Sequence, residues 1–110
     1  MKVKINTPQE LGLLIRATRK SQGIRIEDVA GSAQVGPVFV REAERGKETV
    51  SLVRVMRLLH ELGINLQADV PDTVAANLAK LQQTGVKPLP KRSAAKNALM
   101  NRTSLNAKST

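Results

Sequence analysis

The sequence predicts an all-α chain of five short helices, joined to one strand-like segment and a basic tail. Three observations carry that prediction. Apolar residues recur at helical spacing in successive short blocks. Each block opens on a capping signal or a proline, or closes on a glycine. The length of 110 residues accommodates one compact domain plus a tail, not two full domains.

The first helix is expected over Pro8–Ser21. Thr7 caps it, Pro8 fits its first position, and Glu10 stands three residues after the cap, which makes a capping box. Leu11, Leu14, Ile15 and Thr18 supply the apolar face, and Ser21-Gln22-Gly23 supplies the stop. The second helix starts at Ile26, with Glu27 and Asp28 in a first turn that favours acids. Ala33-Gln34-Val35-Gly36 breaks it. Pro37 starts the third helix, which buries Val40 and Ala43 and ends at Gly46. Phe39, the sole aromatic residue, is assigned to packing beside Val40.

Ser51 caps the fourth helix. Leu52, Val55, Met56, Leu59 and Leu62 form its expected buried stripe, with Gly63 just past its end and His60 on its polar edge. Ile64-Asn65-Leu66-Gln67-Ala68-Asp69-Val70 then alternates apolar and polar residues up to Pro71, the pattern of a half-buried strand. A lone strand leaves its backbone donors and acceptors open. Pairing with the same strand of a second copy is the economical solution, so Ile64, Leu66, Ala68 and Val70 are expected to dimerise the chain. Residues 7–71 thus form the main domain, with the dimerisation strand at 64–70. An accessory helix is expected within 72–86: Asp72 caps it, it runs to about Gln83, and Val74, Leu78 and Leu81 form its stripe. Residues 87–110 are expected to be a basic, flexible tail: a phosphate-binding arm, a segment that orders on a partner, or a solubilising, disordered end.

Charge points to the partner class. The chain carries 18 Lys+Arg against 9 Asp+Glu, a formal net charge of +9. Residues 1–72 are nearly balanced, and every basic residue after them stands without an acid. Such an excess suits a polyanion. Catalysis is disfavoured. With no Cys and one His, thiolate nucleophiles and multi-His metal sites are excluded, and no Gly-rich phosphate loop appears. No enzyme activity, cofactor or metal is expected. No apolar run nears the ~18 residues of a membrane span, and no export segment is visible, so a cytoplasmic, nucleoid-associated protein is expected.

A short helix, a tight turn and a second short helix within Ile26–Gly46 make the helix-turn-helix pattern. The stretches Leu11-Gly12-Leu13-Leu14-Ile15-Arg16, Arg19-Lys20-Ser21-Gln22-Gly23-Ile24 and Val35-Gly36-Pro37-Val38-Phe39-Val40 make the likeness specific. It continues through Glu44-Arg45-Gly46-Lys47, Val50-Ser51-Leu52 and Leu58-Leu59-His60-Glu61-Leu62-Gly63. Over Leu11–Pro71 the sequence resembles the Cro/phage-repressor type of helix-turn-helix domain. Within that class it is similar to the HipB-like antitoxins, encoded beside HipA-like serine/threonine kinase toxins. The resemblance implies a repressor that binds double-stranded operator DNA as a homodimer, regulates its own operon and joins such a kinase. It also implies a structural ion pair between Arg19 and Glu44.

The chain departs from that pattern in ways that bear on DNA reading. Ile26 stands where many relatives hold a phosphate with Gln, and Gln34 stands where the turn often has Gly. Pro37 and Val38, early in the recognition helix, donate no side-chain hydrogen bond; Val38 can still touch a thymine methyl. Base reading then leans on Arg41, with Glu42 as an acceptor from cytosine. Arg25, Arg45 and Lys47 flank the motif as candidate phosphate contacts. Two alternatives stay open: a stand-alone regulator with the same fold, and a protein-interaction adaptor that no longer reads bases.

Overall fold

The computed structural model describes residues 1–85, with five helices in the order α1 (Pro8–Ser21), α2 (Ile26–Ala33), α3 (Pro37–Glu44), α4 (Leu52–Leu62) and α5 (Thr73–Thr84). The chain divides after Ala68 into a unit that holds α1–α4 and a second unit that holds α5.

Local chemistry sets the helix ends. Glu10 N donates to Thr7 Oγ1 at 3.0 Å and Thr7 N donates to Glu10 Oε1 at 3.2 Å, closing the capping box of α1. Ser51 Oγ accepts from Arg54 N at the start of α4, and Gly63 ends that helix with φ +77°. Gln22, just past α1, reaches across the unit: its Nε2 donates to Leu62 O at 2.8 Å and satisfies a carbonyl at the end of α4.

The core is entirely aliphatic. Ile15 of α1, Val29, Ala30 and Ala33 of α2, Val40 and Ala43 of α3, and Val55, Leu58, Leu59 and Leu62 of α4 form one buried cluster. Leu11, Ile24, Ile26, Val35, Phe39, Val50 and Ile64 pack around it partly buried. Each fully buried large side chain contributes about 1.5–3 kcal/mol, so the unit rests on few residues and close helix contacts. The closest joins α1 to the end of α3. A Cβ on Gly12 would lie 2.5 Å from Glu44 O and 2.6 Å from Ala43 O. Gly46 follows at φ +79°, and a Cβ there would lie 2.6 Å from Gln9 Cα. Gln9 Nε2 donates to Gly46 O at 3.2 Å across the same seam.

Three expectations need correction. The buried stripe of α4 is Val55, Leu58, Leu59 and Leu62; Leu52 and Met56 are 69% and 48% exposed. Apolar residues occupy both faces of this helix, and both sets have helical spacing, so periodicity permits either. Contact with α1 and α2 selects the face that holds Leu58. Second, residues 64–70 form no strand. Ile64 N instead donates to Leu59 O at 2.9 Å and finishes α4, while Leu66, Ala68 and Val70 are exposed. The expected dimerisation strand is not formed, because a ladder needs an edge and the described residues contain no other strand. Third, Asp72 precedes α5 without a side-chain capping bond. α5 itself runs one residue beyond the expected end and buries none of its residues. The basic tail, 87–110, lies outside the described residues.

The α1–α3 seam makes a direct prediction. Gly12→Ala forces a methyl into two backbone carbonyls and is expected to destabilise the domain by about 1–3 kcal/mol, outweighing its gain in helix propensity. Urea unfolding followed by circular dichroism measures this; an unchanged midpoint contradicts the close contact.

Candidate nucleic-acid interface

The site is built on the turn between α2 and α3. Gln34 ends α2 in the left-handed region at φ +59°, the one non-glycine residue with positive φ among those described. That conformation costs an L-residue about 1–2 kcal/mol. The turn is held around it. Val35 N donates to Ala30 O at 2.9 Å, and Arg57 Nη1 of α4 donates to Gln34 O at 3.3 Å. Gly36 is extended, and Pro37 then opens α3 with its φ already suited to the helix.

The inner face of α3 is fixed by Val40 and Ala43 in the core, with Phe39 half-buried beside them. Pro37, Val38 and Arg41 are left exposed on α3. The far end of the helix is pinned by a two-pronged ion pair. Arg19 Nε donates to Glu44 Oε2 at 2.6 Å, and Arg19 Nη2 donates to Glu44 Oε1 at 3.1 Å. Arg19 Nη1 also donates to Ile24 O at 3.0 Å, so one guanidinium joins α1, the loop after it and α3. The two side chains are only 11% and 7% exposed. The hydrogen bond to Glu44 raises the Arg19 pKa above its ordinary value, against the opposing effect of burial. Arg19 therefore stays charged at every working pH.

The remaining charges behave differently. Arg41 Nη2 meets Glu27 Oε2 at 3.3 Å, and Lys47 Nζ meets Glu42 Oε2 at 3.1 Å, all four side chains well exposed. Such pairs contribute about 0–1 kcal/mol, so Arg41 and Lys47 can exchange these partners for nucleic acid at little cost. Arg25, at the start of α2, is paired with Asp28 at 3.2 Å on an open surface. Arg45 is exposed at the end of α3. The structure thus brings Pro37, Val38 and Arg41 onto one short helix, with Arg45 and Lys47 at its far end. Glu42, less exposed than the other three, holds Lys47.

Two features of this region, Gly12 and Arg16, stand in the sequence only as part of the family likeness, with no role of their own. Gly12 was visible only as a glycine inside an apolar helix, three residues before buried Ile15. Arg16 stands exposed on α1 beside the α3 arginines; its signal was three-residue spacing from Arg19. Among the described residues no cluster of His, Cys, Asp or Glu can hold a metal, and no helix is long and apolar enough to cross a membrane.

Comparison with known proteins gives the same fold and family. A family model described as a helix-turn-helix matches residues 15–68. An uncharacterised HTH-type transcriptional regulator, y4mF of Sinorhizobium fredii, is 37% identical over 71 residues, which span 64% of this chain and 93% of that protein. The HTH-type transcriptional regulator DdrOP3 of Deinococcus deserti is 33% identical over 52 residues, 47% of this chain and 40% of its own length. Among solved structures, a chain of a HipA–HipB–O2–O3 complex superposes with a TM-score of 0.59 at 16% identity, covering 63% of this chain and 97% of that one. A HipB–O4 20mer complex gives the same TM-score and identity over the same shares. At that identity the likeness is one of fold.

Two outcomes are expected from this geometry. Arg19→Ala or Glu44→Ala strands a buried charge and should cost about 3–5 kcal/mol, whereas replacing both residues by apolar ones of similar size should cost less than either single change. Chemical denaturation of the two singles and the double measures this; additive losses contradict the coupling. Gln34→Gly removes the left-handed strain and should stabilise the domain by about 0.5–1 kcal/mol after the entropy of the unfolded glycine is counted, read as a raised Tm.

Proposed function

We propose that this chain, which belongs to the helix-turn-helix family of transcriptional regulators, is a dimeric repressor that binds a palindromic operator near its own promoter and partners a HipA-like kinase as its antitoxin. The observation that carries the DNA reading is α3 itself. A helix pinned at its far end by Glu44 and along its inner face by Val40 and Ala43 leaves Pro37, Val38 and Arg41 free for a major groove. Two copies would set their α3 helices in successive grooves, about 34 Å apart.

Each residue then has a chemical task. Val38 meets a thymine methyl, while Pro37 fixes the helix start against the bases. Arg41 leaves Glu27 and donates two hydrogen bonds to guanine, and Glu42 accepts from cytosine once Lys47 turns to a phosphate. Arg25 and Arg45 hold phosphates at either end of the motif and set the register. The fold shared with a chain of the HipA–HipB–O2–O3 complex supports the kinase partner. A stand-alone regulator is the second reading, favoured by relatives whose names state regulation alone.

Fluorescence anisotropy on the DNA upstream of the gene, against a scrambled duplex, tests the reading. Wild type should prefer the upstream duplex. Arg41→Ala should lower affinity for it by about 10- to 100-fold, one guanine contact's worth, and erase most of the preference. Equal weak binding to both duplexes, indifferent to Arg41, contradicts it and favours the adaptor alternative. Co-purification with a HipA-like kinase separates the antitoxin from the stand-alone regulator.

A further inference from the structure

The two ends of α3 are held differently. Its last turn is fixed by Glu44 on the buried Arg19. Its first turn has no anchor of its own: Gly36 precedes it with no side-chain capping bond, and Pro37 brings no N–H. The end of α2 just upstream is equally bare. A helix C-terminus favours positive charge, yet the last turn of α2 carries no basic residue. α4 supplies that charge. Arg57 Nη1 donates to Gln34 O at 3.3 Å, on the residue held at φ +59°. Among the described residues this is the one side-chain hydrogen bond to residues 34–37. Arg57 is exposed and forms no ion pair among the described residues, not even with Glu61 one turn further along α4. No carboxylate draws it away from the turn.

An exposed arginine bonded to one neutral carbonyl adds little to global stability. Its effect is geometric. Gln34 sets the direction in which the chain leaves α2, and Val35 and Gly36 carry that direction to Pro37. A small rotation at Gln34 moves Val38 and Arg41 against a groove, while the buried pair keeps the last turn of α3 in place. We propose that Arg57 is a positioning residue for base reading: it acts through Gln34 to set the base-facing end of α3 and touches no base itself. The inference rests on the DNA reading above. It gives Arg57 a role unlike that of Arg25, Arg45 and Lys47, whose proposed contacts are phosphates and carry no sequence information directly.

The test uses the full chain with three variants. Arg57→Met keeps a long side chain without the donor, and Arg57→Lys keeps a donor. Arg54→Met removes the same charge from an exposed position of α4 whose side chain makes no bond to the turn. Affinity is measured across a salt series on the upstream and scrambled duplexes, and amide chemical shifts of the DNA-free variants are compared with wild type. Arg57→Met should lower the ratio of the two affinities by about 5- to 10-fold, a part of one base contact's worth. Its affinity for the scrambled duplex and its salt slope should match those of Arg54→Met, and its DNA-free shifts should change at 34–38. Arg57→Lys should recover most of the ratio, and Arg54→Met should keep all of it. An unchanged ratio with a slope flattened by about 0.9 relative to Arg54→Met makes Arg57 a phosphate contact and overturns the proposal. An unchanged ratio with an unchanged slope overturns it as well. So does a parallel loss on both duplexes with a lowered Tm, the sign of a merely structural role, and so does a ratio that Arg54→Met lowers as far. Failure of the DNA reading itself is seen in wild type, which then does not distinguish the two duplexes at any salt, and the proposal falls with it.

Discussion

The position of α3 depends on one buried contact, the paired hydrogen bonds from Arg19 to Glu44. The helix is eight residues long, too short to be stable by itself in water. Its inner face offers only Val40 and Ala43 to the core, with Phe39 at the margin. The ion pair fixes the rotation of its last turn. Gly12 and Gly46 let α1 approach so closely that the guanidinium reaches both carboxylate oxygens. A charged pair this buried is weak evidence of net stability, since hydrophobic replacements often do as well. Its value here is geometric: the pair ties α1, the loop at Ile24 and α3 into one arrangement.

That division explains the two kinds of charge in the domain. Arg19 is buried, doubly bonded and permanently charged, and it holds the frame. Arg25, Arg41 and Lys47 are exposed, each on a single carboxylate, and they are available to a partner. Screening by salt weakens the second group and scarcely touches the first. A domain built in this way keeps its shape while its affinity for a polyanion varies with ionic strength.

Much of the fold was legible from local signals. Thr7, Pro8 and Glu10 announce α1, Pro37 announces α3, and Ser51 with Gly63 brackets α4, because caps act through bonds within a few residues. What periodicity left open was which face is buried. In α4, Leu52 and Met56 repeat at the same spacing as Leu58 and Leu62, and only the neighbouring helices choose between them. The alternation over Ile64–Val70 failed as a strand signal because alternation describes side chains and says nothing of a hydrogen-bonding edge. In the interface, Arg41 and Lys47 can be read from the motif, but their carboxylate partners Glu27 and Glu42 depend on packing. Arg19 and Glu44 stand 25 residues apart; only the family resemblance names them together.

In the proposed function α3, held by α1, is the surface that meets DNA. Mapping amide chemical shifts of labelled protein during titration with its own upstream duplex tests this most directly. The largest changes are expected at Gly36–Arg41 and at Arg45–Lys47, with Arg25 and Ile26 following. Changes confined to the exposed apolar face of α4, at Leu52, Val53 and Met56, with α3 silent, would contradict it.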